Sequence, residues 1–190
     1  EPWLFSHIVE KNIERGVYDA DVLNKFNEED LQKLESFSNH SRDNDFTYGG
    51  MEQLRSKYLV QDRNTKKCYE TPQVLYMMIA ATLFADYGKD RMKWIKDYYD
   101  AISQFYISLP TPIMAGLRTE TRQFSSCVLI EAGDSLDSIN STSTSIVRYI
   151  SKKAGIGIGS GSIRALGSRI RDGGQFFLYA PLYNRESPHH

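Results

Sequence analysis

Few residues in this 190-residue chain have the type and surroundings to do chemistry, and Cys127 leads them. It follows two serines in Phe124-Ser125-Ser126-Cys127-Val128-Leu129-Ile130, a run suited to a buried strand. A thiol at the end of such a strand can be presented to a ligand pocket as a nucleophile or redox group. A free cysteine also serves as a small core hydrophobe, and the residues alone favour that plainer use. Gly155, Gly157, Gly159 and Gly161 let backbone amides approach a phosphate, yet they do not match G-x-G-x-x-G and bring no P-loop lysine. Tight packing at a strand is the alternative, slightly favoured. Asp134-Ser135 stands where a helix begins, able to cap it or to join the helix amides in holding a ribose and phosphates. Arg164, Arg169 and Arg171 form a local basic cluster, equally consistent with a solvated loop and with charge-assisted phosphate contacts.

These residues need elements to hold them. The first hundred positions read as mostly helical, starting with Pro2 to Arg15, where Leu4, Phe5, Ile8, Val9 and Ile13 recur at helical spacing before Gly16. Asn27 is an N-cap followed by Glu28, Glu29 and Asp30, acids placed where the helix dipole favours them. Lys57-Tyr58-Leu59-Val60 and Cys68-Tyr69-Glu70 resemble two short strands joined by a charged turn. Thr71-Pro72 opens an apolar core helix from Gln73 to Ala85. A further helix from Lys89 to about Phe105 carries Ile95, Tyr98, Tyr99, Ile102 and Phe105 on one core-facing stripe. Leu109-Pro110-Thr111-Pro112 reads as an extended, helix-incompatible turn, and the boundary is expected near residue 108. Beyond the Cys127 strand, Gly133-Asp134-Ser135 leads into a helix with Leu136, Ile139, Ile146, Val147 and Ile150, then into the glycine series and a second buried strand.

Composition excludes several classes. A formal net charge of -1 and 41% hydrophobic residues describe a globular chain without a global basic field for nucleic acid or anionic membrane. Two distant cysteines argue against a disulfide framework or zinc module, and the four histidines join no ligand cluster. No apolar run approaches the roughly 20 residues that span a bilayer. A cytoplasmic protein with neither metal, nucleic acid nor membrane as partner is the expectation.

Four segments in order carry a resemblance: Ser108 to Met114 (SLPTPIM), Thr121 to Cys127 (TRQFSSC), Gly133 to Ile139 (GDSLDSI) and Ala154 to Ile158 (AGIGI). At this spacing they are similar to successive motifs of class I ribonucleotide reductase large subunits, and the likeness extends back through Phe46-Thr47-Tyr48 and forward to about Arg171. The resemblance implies a mixed α/β fold: a mainly helical amino-terminal region at 1–108, then the first strand-helix-strand elements of a ten-stranded α/β barrel at 109–172, and a divergent tail at 173–190.

It also implies roles. Enzymes of that family reduce ribonucleoside diphosphates to 2'-deoxyribonucleotides, taking the 3' hydrogen with a thiyl radical and reducing the ribose with a cysteine pair. Cys127 matches one member of the pair, and Thr111 and Ser126 match substrate contacts. Asp134, Ser135, Leu136, Arg164 and Arg171, with Lys152 as an addition, match the allosteric specificity site, where a deoxynucleotide or ATP selects the base. Ile139, Ile146, Val147 and Ile150 are implied contacts with a second large subunit as well as core. No cofactor beyond such nucleotides is expected on this chain; the radical cofactor belongs to a small subunit, and thioredoxin or glutaredoxin supplies electrons.

The departures shape the expectation too. The chain opens where the family's ATP-cone ends, and lacks the radical cysteine, the second redox cysteine and most of the barrel; beyond Arg171 it leaves the family pattern. A fragment that works with a complementary large-subunit piece and the small radical subunit is therefore the leading expectation. A noncatalytic nucleotide-binding or dimerisation module is the alternative.

Overall fold

A computed structural model of the chain describes residues 4–121, 123–152 and 154–169, apart from the side chain of Leu23. Arg171 and the tail at 173–190 lie outside the described residues. Two compact units divide the chain, Glu1–Ser126 and Cys127–His190.

The first unit is helical. Helix α1 spans Phe5–Glu14, and Gly16, with φ +68°, turns the chain out of it by adopting the left-handed backbone that glycine tolerates. Helix α2, Glu28–Phe37, starts at Asn27 as the sequence predicts. The Asn27 side chain accepts from the Asp30 N–H at 2.8 Å, and Asp30 Oδ2 accepts from the Asn27 N–H at 3.2 Å, a reciprocal capping box. Helix α3, Tyr48–Lys57, is capped by Thr47 and was not foreseen. Its weakly apolar sequence, with two glycines in the first turn, gives little helical pattern to read.

Because α3 runs on to Lys57 and Tyr58 closes it, the strand expected at 57–60 does not form; one antiparallel bridge, Gln61 to Cys68, closes the charged turn instead. Helix α4, Pro72–Phe84, is buried over residues Pro72 to Ala81, with Val74, Leu75, Met77, Ile79 and Ala80 at 0% exposure. Each such large side chain contributes about 1.5–3 kcal/mol of burial. It packs chiefly against α5, Arg91–Ser103, whose Ile95, Tyr99 and Ile102 face this core.

The stripe ends sooner than expected. Phe105 lies past α5 with φ +64° and is 51% exposed. Thr111-Pro112, expected to resist helix, opens the short helix α6, Thr111–Gly116; proline in a first turn forfeits no internal hydrogen bond. Segment 109–126 packs with the helical unit, so the division falls at Ser126/Cys127 rather than near 108.

The second unit is a strand-helix-strand. Strand β1, Cys127–Glu131, and strand β2, Gly155–Gly159, pair in parallel with Cys127 opposite Gly155, and helix α7, Leu136–Ile150, makes the crossover that parallel strands require. Val128 and Ile130 are half-buried, while Cys127, Leu129 and Glu131 are exposed. Both strands were expected to be buried. Within this chain α7 contacts both strands but one helix covers one face only, leaving Leu129 88% exposed. Among the described residues no helix is long and apolar enough to cross a membrane.

Candidate functional site

Cys127 stands at the head of β1 and is exposed, which removes the reading of it as a core hydrophobe within this chain. Its backbone is held by the parallel register with Gly155. Cys68, by contrast, is half-buried against the helical core, within the bridged turn. The two thiols therefore occupy different settings in different units.

The alternating glycines accommodate β1 side chains. A Cβ on Gly157 would lie 2.7 Å from Leu129 Cδ2, and one on Gly159 would lie 2.4 Å from Glu131 Oε2. The packing reading is thus what this strand realises at those two positions.

At the carboxyl end of β1 the loop 132–135 is built from hydrogen bonds. Ser135 is the N-cap of α7, its hydroxyl accepting from the Ser138 N–H at 3.1 Å. The Ser138 hydroxyl in turn accepts from the Gly133 N–H at 2.8 Å. Asp134 leaves the capping to Ser135 and reaches the segment after β2: its carboxylate accepts from the Arg164 N–H at 3.2 Å and from Arg164 Nε at 2.7 Å. The Arg164 N–H first, then the guanidinium, holds the Asp134 carboxyl below its ordinary range, with desolvation opposing them. Arg164 Nη1 also donates to the Arg169 carbonyl at 3.1 Å.

Three of the residues expected at a specificity site, Asp134, Ser135 and Arg164, are thereby gathered around one loop. Leu136 follows at 86% exposure, and Lys152 is exposed at the far end of α7. Arg171 falls outside the described residues. On α7, Ile139 and Ile146 are half-buried, while Val147 and Ile150 are 69% and 57% exposed. Such an apolar surface on a polar-rimmed helix has the character of an interaction face.

Thr111 and Ser126 belong to the helical unit. Ser126 is exposed. Thr111 is half-buried at the first position of α6, its hydroxyl oxygen 3.1 Å from the Tyr58 phenol oxygen. Behind it lies a buried polar cluster that sequence reasoning missed. Arg118 is 0% exposed and its Nε donates to Glu70 Oε2 at 2.8 Å, while Nη2 also bonds Glu70 Oε1. Tyr18 donates to the same carboxylate, and the Val60 N–H adds another bond at 2.8 Å. Burial first, then the negative charge of Glu70, pushes the Tyr18 phenol well above its ordinary range. Partners 48 and 52 positions apart leave no periodic signal in the sequence.

A helical unit is followed by a parallel strand-helix-strand with a thiol heading the first strand, an arrangement consistent with an all-α domain leading into an α/β domain. Residues 44–122 match the family model described as the ribonucleotide reductase all-alpha domain, and residues 125–176 match its barrel domain. The chain belongs to the ribonucleotide reductase large-subunit family, of which it carries the all-α domain and the start of the barrel.

It is 54% identical over 176 residues to ribonucleoside-diphosphate reductase 1 subunit alpha of Escherichia coli, covering 92% of this chain and 23% of that protein. It is 56% identical over 173 residues to the alpha subunit of Buchnera aphidicola subsp. Baizongia pistaciae, covering 90% and 23%. The phage T4 alpha subunit is 54% identical over 170 residues, covering 90% and 22%. The chain thus spans about a quarter of the length of these relatives.

Proposed function

We propose that this chain supplies the front part of a ribonucleoside-diphosphate reductase large subunit, and that Cys127 is one thiol of its redox pair. The observation that carries the proposal is the exposed cysteine at the head of β1, at the junction where the all-α match gives way to the barrel match.

The chemistry explains why one thiol is insufficient. Replacing the ribose 2' hydroxyl by hydrogen consumes two electrons and two protons and releases water. Two thiols supply both and become a disulfide, which an external dithiol such as thioredoxin or glutaredoxin then reduces by exchange. The second thiol of the pair comes from the remainder of the large subunit, and a small subunit supplies the radical. Cys68, packed beside the helical core, is assigned no part in turnover.

Thr111 and Ser126 are the proposed substrate contacts, small hydroxyls that donate to a nucleotide without filling its pocket. Asp134, Ser135, Leu136, Arg164 and Arg171, with Lys152, are the proposed effector site for a deoxynucleoside triphosphate or ATP. There the Asp134–Arg164 pairing supplies one acceptor for ribose and one guanidinium for phosphate. The exposed apolar face of α7 is the proposed contact with a second large subunit.

The test is reduction of CDP by the reductase containing this chain, with its small subunit and a dithiol reductant, before and after Cys127→Ser. Dithiol-dependent turnover is expected to disappear while effector binding persists. Undiminished turnover overturns the role of Cys127. Saturable dTTP binding by a chain that joins no active reductase would instead favour a noncatalytic nucleotide-binding module.

A further inference from the structure

We infer that Tyr58 is a positioning residue for the substrate site, holding the Thr111 hydroxyl in the orientation from which it donates to the diphosphate of the substrate. The inference rests on the assignment of Thr111 to substrate contact made above. The Tyr58 phenol oxygen lies 3.1 Å from Thr111 Oγ1, and either oxygen can be the donor.

The ligand decides the direction. A threonine hydroxyl carries a single proton, and phosphate oxygens only accept at neutral pH, so Thr111 must spend its proton on the phosphate. The bond to Tyr58 must then run from the phenol O–H to Thr111 Oγ1. The two oxygens are already held 3.1 Å apart, so when substrate arrives only the hydroxyl protons have to turn, the phenol O–H toward Thr111 Oγ1 and the threonine proton away from Tyr58. Preorganisation of this kind removes an ordering cost from binding.

The buried cluster supplies the rigidity that such an arrangement needs. Tyr58 closes α3, its N–H bonded to the Leu54 carbonyl at 2.9 Å. Arg118 Nη2 donates to the Tyr58 carbonyl at 2.9 Å, and Arg118 Nη1 donates to the Met114 carbonyl of α6 at 2.8 Å. One guanidinium therefore ties the residue bearing the phenol to the helix bearing Thr111. Glu70 holds that guanidinium from the other side, and both side chains are 0% exposed. A fixed backbone on each side keeps the two oxygens within bonding distance whether or not a ligand is present.

The experiment measures KM and kcat for a ribonucleoside diphosphate in the reductase containing this chain. Tyr58→Phe removes only the phenol oxygen, and KM is expected to rise roughly three- to tenfold, the worth of one neutral hydrogen bond, with kcat within about twofold and the melting temperature unchanged. Thr111→Val is expected to raise KM at least as far, and the double variant no further than Thr111→Val alone, since the two groups act as one. Thr111→Ser keeps the hydroxyl and is expected to retain the parent KM only while Tyr58 is present. An unchanged KM in Tyr58→Phe beside a raised KM in Thr111→Val overturns the positioning role. An unchanged KM in Thr111→Val overturns the assignment of Thr111 itself. A fall in kcat and melting temperature together in Tyr58→Phe, without a rise in KM, assigns the phenol to packing and likewise overturns the inference.

Discussion

The two units of this chain treat their side chains differently. Glu1–Ser126 encloses a large apolar core, although Trp94, Phe105 and Ile107 face outward: α4 is buried over ten consecutive positions, and even an ion pair is sealed inside with its hydrogen bonds satisfied. In the second unit, among the described residues, the buried hydrophobics are Ala132 and Ala154, while Leu129, Leu136 and Val147 face outward at 88%, 86% and 69% exposure. The helical unit thus carries a core of its own. The strand-helix-strand has the two-stranded, half-covered character of a sheet that gains most of its stability from what is laid against it.

The same comparison explains where chemistry sits. The proposed redox thiol and effector loop occupy the uncovered unit, where exposed groups can meet ligands and further polypeptide. The helical unit contributes rigid support to Thr111 through the Arg118 clamp. Binding residues carried by a rigid scaffold are a general solution to this need.

Breaking the interior of the helical unit should have the largest effect on stability. Glu70→Ala leaves the Arg118 guanidinium buried without its counter-charge, and about 3–5 kcal/mol of unfolding free energy should be lost in urea denaturation. A loss below about 1 kcal/mol would mean that water or rearrangement readily replaces the carboxylate, and the contrast in rigidity would fail.

A paired truncation sharpens the contrast. Ile79→Ala, at a position with 0% exposure, should cost roughly 2–5 kcal/mol. Leu129→Ala in the isolated chain should stay within about 0.5 kcal/mol, because the side chain is already in water. Equal costs measured by denaturation would show that the outer face of β1 is covered after all.

The smallest effect concerns Asp134, whose carboxyl is held below its ordinary 3.8 by the Arg164 N–H first and by the guanidinium as well. A depressed carboxyl stabilises the loop fully above its unfolded value, and the contribution is lost as pH falls through the lower folded value. Acidification followed by NMR should therefore keep the Arg164 Nε–H signal in its bonded position through the ordinary carboxylate range and release it only below. Release at or above the ordinary range would show that the pairing is not maintained in solution.

Sequence alone located several boundaries because their signals are local. Asn27 with its three acids, Thr71-Pro72 and Gly16 act through neighbouring backbone groups, and each begins or ends a helix where expected. The order of a strand at Cys127, a helix and a second strand in the glycine series was legible as well, while the fold shows that the two strands pair in parallel. Other elements escaped it. Helix α3 has too faint an apolar period to announce itself, and the proline at 112 looked like a breaker because its place in a first turn depends on where α6 starts.

Readable from the residues, then, were helices α1, α2, α4, α5 and α7, the strand-helix-strand, and the residues that bear the family likeness, Cys127, Thr111, Ser126 and the Asp134 loop among them. Tertiary structure alone decided that Cys127 and Leu129 are exposed, that Asp134 turns to Arg164 rather than to its own helix, and that Glu70, Arg118 and Tyr58 stand behind Thr111. The physical reason is range. Caps, turns and periodic faces are set by neighbours within a few residues, whereas burial and ion pairing depend on residues dozens of positions away, which only the folded chain brings together.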